Sequence, residues 1–298
     1  MHIRDTWKLM RPRHWVKNVF VFAALVFAGR LGEARSALAA FGAFAAFCLL
    51  SSAAYAFNDV ADAAEDRRHP RKKERPVAAG RLSARAALGV SVVCFLAGEA
   101  ICLLVTPALA LVGAAYVALM LLYTLALKRW PVADVACIAL GFVLRAVAGG
   151  VAVGVEVSNW LLACTFALCL FLGFAKRRGE LAELGEGSAA HRPALAGYSA
   201  AALDWLLAAS GALAVAAFGW YTVTPATLAR IGGPYLLLSV PAAAYGIARV
   251  AVLVRRGEAG EPTDIVTGDG PFLAVLVLWC LYAASLATFA PEAGRMLP

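Results

Sequence analysis

With 298 residues, 62% of them hydrophobic and only 15% charged, and a mean hydropathy of +0.76, the chain excludes a water-soluble domain and reads as an all-α integral membrane protein. Its net charge of +8 is gathered in short segments between long apolar runs. That leaves no basic soluble domain for nucleic acid and suits anionic lipid head groups and phosphorylated substrates instead.

Residues 1–14 combine Trp7, Leu9 and Met10 with Arg4, Lys8, Arg11 and Arg13, a pattern for a short amphipathic helix on the inner leaflet. A first candidate span follows at 15–31, with Trp15 and Lys17 at the interface. The second, 36–57, runs straight into Asn58-Asp59-Val60-Ala61-Asp62-Ala63-Ala64-Glu65-Asp66. On a continuous helix the offsets i, i+3 and i+7 put Asp59, Asp62 and Asp66 on one face. Like charges so placed repel unless something neutralises them. Arg67, Arg68, Arg71, Lys72, Lys73 and Arg75 follow at once. Carboxylates completed by substrate phosphates are how proteins commonly hold Mg²⁺, so the pattern points to a site for Mg²⁺ and a di- or polyphosphate. A merely solvated juxtamembrane loop is the plainer alternative.

Candidate spans continue at 84–105 and 107–127, and the next connection carries Tyr123, Lys128, Arg129 and Asp134. Two cations at a helix C-terminus favour the macrodipole and could meet a phosphate; a routine positive-inside hairpin reads the same way. The fifth span, 134–155, holds Arg145 among small residues. An arginine at mid-span costs about 2.5–3.5 kcal/mol on insertion scales, so it must face the bundle interior and find a partner, as the wall of a site or as a structural pair. The sixth span, 157–175, ends in Lys176-Arg177-Arg178 with Glu180 beyond, a phosphate clamp or a topological anchor. Spans at 204–229, 231–252 and 270–290 complete nine, within a single domain of 298 residues. The seven cysteines fall in spans and read as small buried hydrophobes.

With the N-terminus in the cytoplasm, the N-terminal segment through Lys17, 58–85, 128–129, 176–192 and 249–256 hold 22 of the 27 Lys and Arg residues. The opposite side holds four, and the positive-inside rule then sets the orientation. The loops 58–83, 176–203 and 255–269 all face the cytoplasm in this arrangement.

The N-D-x-x-D-x-x-x-D pattern after the second span resembles the UbiA superfamily of intramembrane prenyltransferases. Further matching pieces are Arg11-Pro12-Arg13-His14-Trp15-Val16-Lys17-Asn18, Arg67-x-His69-Pro70, Arg75-Pro76-x-Ala78-Ala79-Gly80, Leu144-Arg145-Ala146-x-Ala148-Gly149-Gly150, Ala175-Lys176-Arg177 and Gly260-Glu261-Pro262-x-Asp264. Together they resemble the branch that transfers phosphoribose to a decaprenyl-type polyprenyl phosphate. Aromatic prenyltransferases carry a second aspartate-rich motif where this chain has Lys176-Arg177-Arg178.

The resemblance implies a UbiA-like bundle of nine transmembrane helices in the plasma membrane, N-terminus cytoplasmic, with Asp59, Asp62 and Asp66 as catalytic Mg²⁺ ligands. It implies 5-phosphoribosyl-1-diphosphate (PRPP) and polyprenyl phosphate as substrates, and a product feeding cell-wall arabinan. Lys17, Asn18, Asn58, Arg67, Lys73, Arg75, Tyr123, Lys128, Asp134, Arg145, Lys176 and Arg177 are then the candidate substrate contacts. Transfer of a prenyl group to an aromatic acceptor and a non-enzymatic lipid transporter stay open, as does a homo-oligomer.

Overall fold

The computed structural model describes residues 3–68, 72–184, 195, 197–258 and 268–293. His69, Pro70, Arg71 and the segment 260–264 lie outside them. The chain divides into two compact units, Met1–Val157 and Ser158–Pro298, where the sequence reads as one domain.

The first unit begins with α1 (Ile3–Met10), a 3-10 helix at Pro12–Phe22 and α2 (Ala23–Phe27). It continues with α3 (Ala34–Ala61), α4 (Ala63–Asp66), α5 (Ala84–Val105), α6 (Pro107–Leu125) and α7 (Ala133–Val153). Local chemistry sets the ends. Ser83 and Thr106 cap α5 and α6, their side chains accepting from Ala86 N and Leu109 N, and Pro107 opens α6 where its missing N–H costs nothing. Gly154, in the left-handed region at φ 71°, closes α7.

Helices α3 and α7 are central. Over a membrane-length stretch each is 56% buried, against 17% for α5 and 22% for α6. Alanines make this possible: Ala40, Ala43, Ala46, Ala53 and Ala56 of α3 are buried and let neighbouring backbones approach. Val92, Val93, Leu96 and Leu104 of α5 stay exposed, a lipid-facing surface rather than a fault in the packing.

The second unit holds α8 (Asn159–Leu184), α9 (Ala200–Thr222), α10 (Pro225–Ile231), a 3-10 turn at Pro234–Ser239 leading into α11 (Val240–Arg255), and α12 (Gly270–Ala293). Gly211 of α9 leaves room for Phe171 of α8, which is 1% exposed.

Among the described residues seven helices are long and apolar enough to cross a membrane, against nine expected spans. The last expected span is α12, whose apolar part Gly270–Ala283 is shorter. The first is not one α-helix but the composite of Pro12–Phe22 and α2. Within the 3-10 part the buried residues are Asn18 and Val21, three positions and one turn apart, so they lie on one face against the bundle. Within the expected amphipathic segment, Ile3–Met10 do form a helix, α1, but Leu9 is fully buried against Ala56, Val77, Leu82 and Ala87 rather than turned to lipid. Trp7 remains exposed and meets Trp15 edge-on at 5.7 Å.

Candidate active site

The acidic motif sits at the end of α3, and the helix does not run through it. Asp62 takes φ −95°, ψ 0° and interrupts the helix between Ala61 and Ala63. The three carboxylates meet two sets of cations, Asp59 and Asp66 with Arg11 and Arg75, and Asp62 with Lys128, and these cations offset the repulsion that closely spaced acids impose.

Asp59 and Asp66 form the first set. Asp59 is 1% exposed and Asp66 3%. Arg75 Nη1 donates to Asp66 Oδ2 at 2.6 Å and lies 3.3 Å from Asp59 Oδ1. Arg11 donates to the same Asp59 oxygen and lays its guanidinium over the Tyr55 ring at 5.0 Å. Burial pushes the Asp66 carboxyl above the usual carboxylate range, with the Arg75 guanidinium pulling against it. Asp62 belongs to the second set. It accepts from the Lys128 ammonium and, at 2.9 Å, from Asn58 Nδ2. Asn58 Oδ1 accepts from Thr124 at 3.2 Å, which ties the motif to the end of α6.

The backbone around this cluster is strained. Arg11 (φ 52°) and Val132 (φ 65°) are the non-glycine residues with positive φ among those described. Both lie on the segments that bring the cluster its cations, Arg11 itself and the turn after Lys128. Arg11 also precedes Pro12, a position that disfavours helical backbone. Such conformations cost about 1–3 kcal/mol each and persist where surrounding contacts over-determine them. Here Met10 O accepts from Ser52 Oγ at 2.9 Å, and Trp15 Nε1 donates to Ser52 Oγ at 3.0 Å, one contact on either side of Arg11.

Among the described residues no three His, Cys, Asp or Glu side chains gather into a metal cage. The donor chemistry nevertheless fits Mg²⁺. Asp59 and Asp66 both reach one cationic atom, Arg75 Nη1, and Mg²⁺ needs only one or two carboxylates when phosphates and water complete the octahedron.

The other expected site residues scatter. Asn18 and Arg145 lie in the interior of the first unit, 0% and 4% exposed. Arg145 Nε donates to Asn18 Oδ1 at 2.7 Å, Nη1 to Gly141 O at 2.9 Å and Nη2 to Tyr116 OH at 2.7 Å. Its guanidinium also lies over the Tyr116 and Phe142 rings at 4.7 and 5.0 Å. Hydrogen bonds to a charged donor are worth about 1.5–3 kcal/mol each, enough for this cage to offset the insertion cost without a carboxylate. Arg67 is exposed and donates to Ala78 O at 3.3 Å, and Lys73 is exposed. Lys17 and Tyr123 are half-buried, and Asp134 is fully buried in the first turn of α7. Lys176 and Arg177 belong to the second unit, at the end of α8. Arg177 is 2% exposed and donates to Glu180 Oε2 at 2.8 Å, while Arg178 and Arg255 both face Asp204 at 3.1 and 3.6 Å.

Sequence reasoning missed Arg11, Tyr116 and Thr124 as members of these networks. Arg11 carried a usable signal, a cation directly before proline in a basic segment. The two hydroxyl residues carried none.

Comparison with known proteins gives the frame for this geometry. The chain is 34% identical over 286 residues to the decaprenyl-phosphate phosphoribosyltransferase of Corynebacterium glutamicum, covering 95% of this chain and 86% of that one. It is 34% identical over 290 residues to the enzyme of the same name from Mycobacterium tuberculosis, covering 95% and 94%. Among solved structures it resembles a UbiA homolog from Archaeoglobus fulgidus bound to GPP and Mg²⁺, with a TM-score of 0.71, 18% identity and coverage of 95% and 99%. That similarity shows a shared fold. Residues 18–274 match the UbiA prenyltransferase family, and the chain belongs to that family of multi-pass membrane enzymes.

Proposed function

We propose that the chain transfers the 5-phosphoribosyl group of PRPP to a polyprenyl phosphate and releases diphosphate, at the cytoplasmic face of the plasma membrane. The observation that carries this reading is the pair of buried carboxylates, Asp59 and Asp66, converging on one cationic atom with Arg11 and Lys128 close by. It is a place where positive charge is already held between acids and where anionic phosphates would find cations. The names of the relatives support the substrate class. The face follows from the 22 of 27 Lys and Arg residues on that side.

Asp59 and Asp66 would hold Mg²⁺, with Asp62 joining once Lys128 turns to phosphate. When bound, the ion neutralises the charge that develops on the departing diphosphate. Arg75, Lys128, Lys17 and Lys73 would supply cations to substrate phosphates, and Asn58 would orient Asp62. Lys176 and Arg177, in place of a second aspartate motif, would serve the 5-phosphate or the lipid phosphate. The bond from ribose C1 to the diphosphate oxygen breaks toward an oxocarbenium-like state. A lipid phosphate oxygen then forms the new bond to C1. That oxygen is already anionic, so no general base is needed, and catalysis rests on position and charge.

Purified protein given labelled PRPP and polyprenyl phosphate should yield a lipid whose mass has gained one phosphoribosyl group, with no product in EDTA. A prenylated aromatic product from prenyl diphosphate, or no transfer at all, would overturn the reading. Lys176→Ala is expected to raise KM for PRPP or for the lipid phosphate by about tenfold, the loss of one charge-assisted contact; unchanged KM and kcat would reject its role.

The raised pKa of Asp66 gives a further expectation. A carboxyl with a higher pKa in the folded than in the unfolded chain binds more protons when folded, so it weakens the fold as pH rises. A bound cation relieves that cost. The rise in melting temperature on adding Mg²⁺ should therefore be largest at neutral pH and shrink on acidification, beginning above the ordinary carboxylate range. A rise of the same size at all pH values would take Asp66 out of the site.

A further inference from the structure

We propose that Arg145 is a positioning residue, which acts through Asn18 to hold the Pro12–Phe22 segment in the register that sets Arg11 on Asp59. The proposal rests on the reading of the Asp59 cluster as the site of transfer. The Arg145 guanidinium sits in a neutral cage of Asn18, Gly141 O and Tyr116. Among the described residues it makes no ion pair. A phosphate could reach it only by entering the interior of the first unit and breaking bonds of 2.7–2.9 Å. What Arg145 does hold is the first helical segment.

The register is specific. Arg145 and Gly149 stand one turn apart on α7, and Asn18 and Val21 one turn apart on the 3-10 helix. Asn18 bonds Arg145, and the Val21 carbonyl lies against Gly149, where an added Cβ would meet it at 1.9 Å. Four residues of α-helix rise about 6 Å, and three residues of 3-10 helix also rise about 6 Å. The two pairs therefore match, and both segments run in the same direction. An α-helical first segment would lose that match. Asn18 is fastened on its other side as well, its Nδ2 donating to Ser51 Oγ at 3.3 Å. A stiff segment fixed at Asn18 and Val21 delivers Arg11, at its N-terminal end, onto Asp59 despite the strained backbone at Arg11.

The test compares Arg145→Met with the triple replacement Asn18→Leu, Tyr116→Phe and Arg145→Met. Replacing one member of a buried polar set strands the others, whereas replacing all by apolar groups of similar shape can be nearly neutral. The readouts are melting temperature in detergent, the Mg²⁺ concentration giving half the Mg²⁺-induced rise in it, and KM and kcat for transfer. Arg145→Met is expected to lower the melting temperature and raise the half-saturating Mg²⁺ by about tenfold or more, as loss of outer support does at metal sites. The triple variant should regain the melting temperature and bring half-saturation back to within about threefold of wild type, with transfer recovering alongside. A phosphate contact predicts otherwise: unchanged Mg²⁺ half-saturation in Arg145→Met, a raised KM, and a triple variant that melts normally but transfers no better. That result, or a triple variant that recovers neither melting temperature nor Mg²⁺ binding, overturns the proposal. Should wild-type protein fail to use PRPP, the transfer reading falls, while the melting and Mg²⁺ measurements still decide the role of Arg145.

Discussion

Asp59→Asn is expected to lower the rate of phosphoribosyl transfer by about 10²–10³-fold, the loss typical when one preorganised charge interaction is removed from a reacting centre. The substitution is isosteric, so shape is kept and charge alone is removed. Two guanidiniums, Arg11 and Arg75, then face a neutral amide. Breaking a fully buried pair costs about 3–5 kcal/mol, but the side chains of Arg11 and Arg75 are 18% and 23% exposed and can recover water. The loss of stability should therefore be smaller than the loss of rate, and the variant should still purify as folded protein. Asp62→Asn is expected to cost less, about tenfold, because Asp62 stands apart on Lys128. An Asp59→Asn enzyme within about threefold of wild type in both kcat and Mg²⁺ half-saturation, an effect below 1 kcal/mol, would remove the carboxylate pair from the chemistry.

The order of those two effects could not be read from the sequence, where the aspartates of the motif look equivalent. Spacing alone places Asp59, Asp62 and Asp66 on one face, and only their partners in the structure, Arg75 for the outer two and Lys128 for Asp62, tell them apart. The spans were legible because runs free of charge admit few structures in a bilayer. The ends of α5 and α6 fall within two residues of the apolar runs that announce them. Arg145 was legible as a residue in need of a partner, because a charge at that depth must be satisfied. Its partner Asn18 was not, since 127 residues separate the two and no local pattern encodes the contact. Likewise Arg11 and Asp59 meet across 48 residues. The 3-10 winding of Pro12–Phe22 was not legible either, because the three-residue step between its buried residues Asn18 and Val21 fits an α-helix as well.

Gly149→Ala is expected to be the most damaging single substitution to the fold of the first unit. A Cβ at position 149 would lie 1.9 Å from Val21 O, 2.8 Å from Val21 C and 3.2 Å from Val21 Cα. The obstacle is backbone, so no rotamer change can relieve it, and the shortest of these contacts is about 1.5 Å inside ordinary packing distance. The first segment must move off α7 as a body, which breaks the Asn18–Arg145 bond and strands a buried guanidinium. Overpacking a tight core usually costs about 1–3 kcal/mol, and this position should reach the top of that range or exceed it. Gly89→Ala is the internal control. It lies within α5, and an added Cβ there meets nothing within 4 Å. In a helix interior alanine is favoured over glycine by about 1 kcal/mol, so that variant should melt at or above the wild-type temperature. Melting curves of the two variants in one detergent therefore carry opposite expectations for the same chemical change. Were Gly149→Ala to melt with wild type, the close approach of the first segment to α7 would be wrong, and with it the route by which the bundle interior sets Arg11 on Asp59.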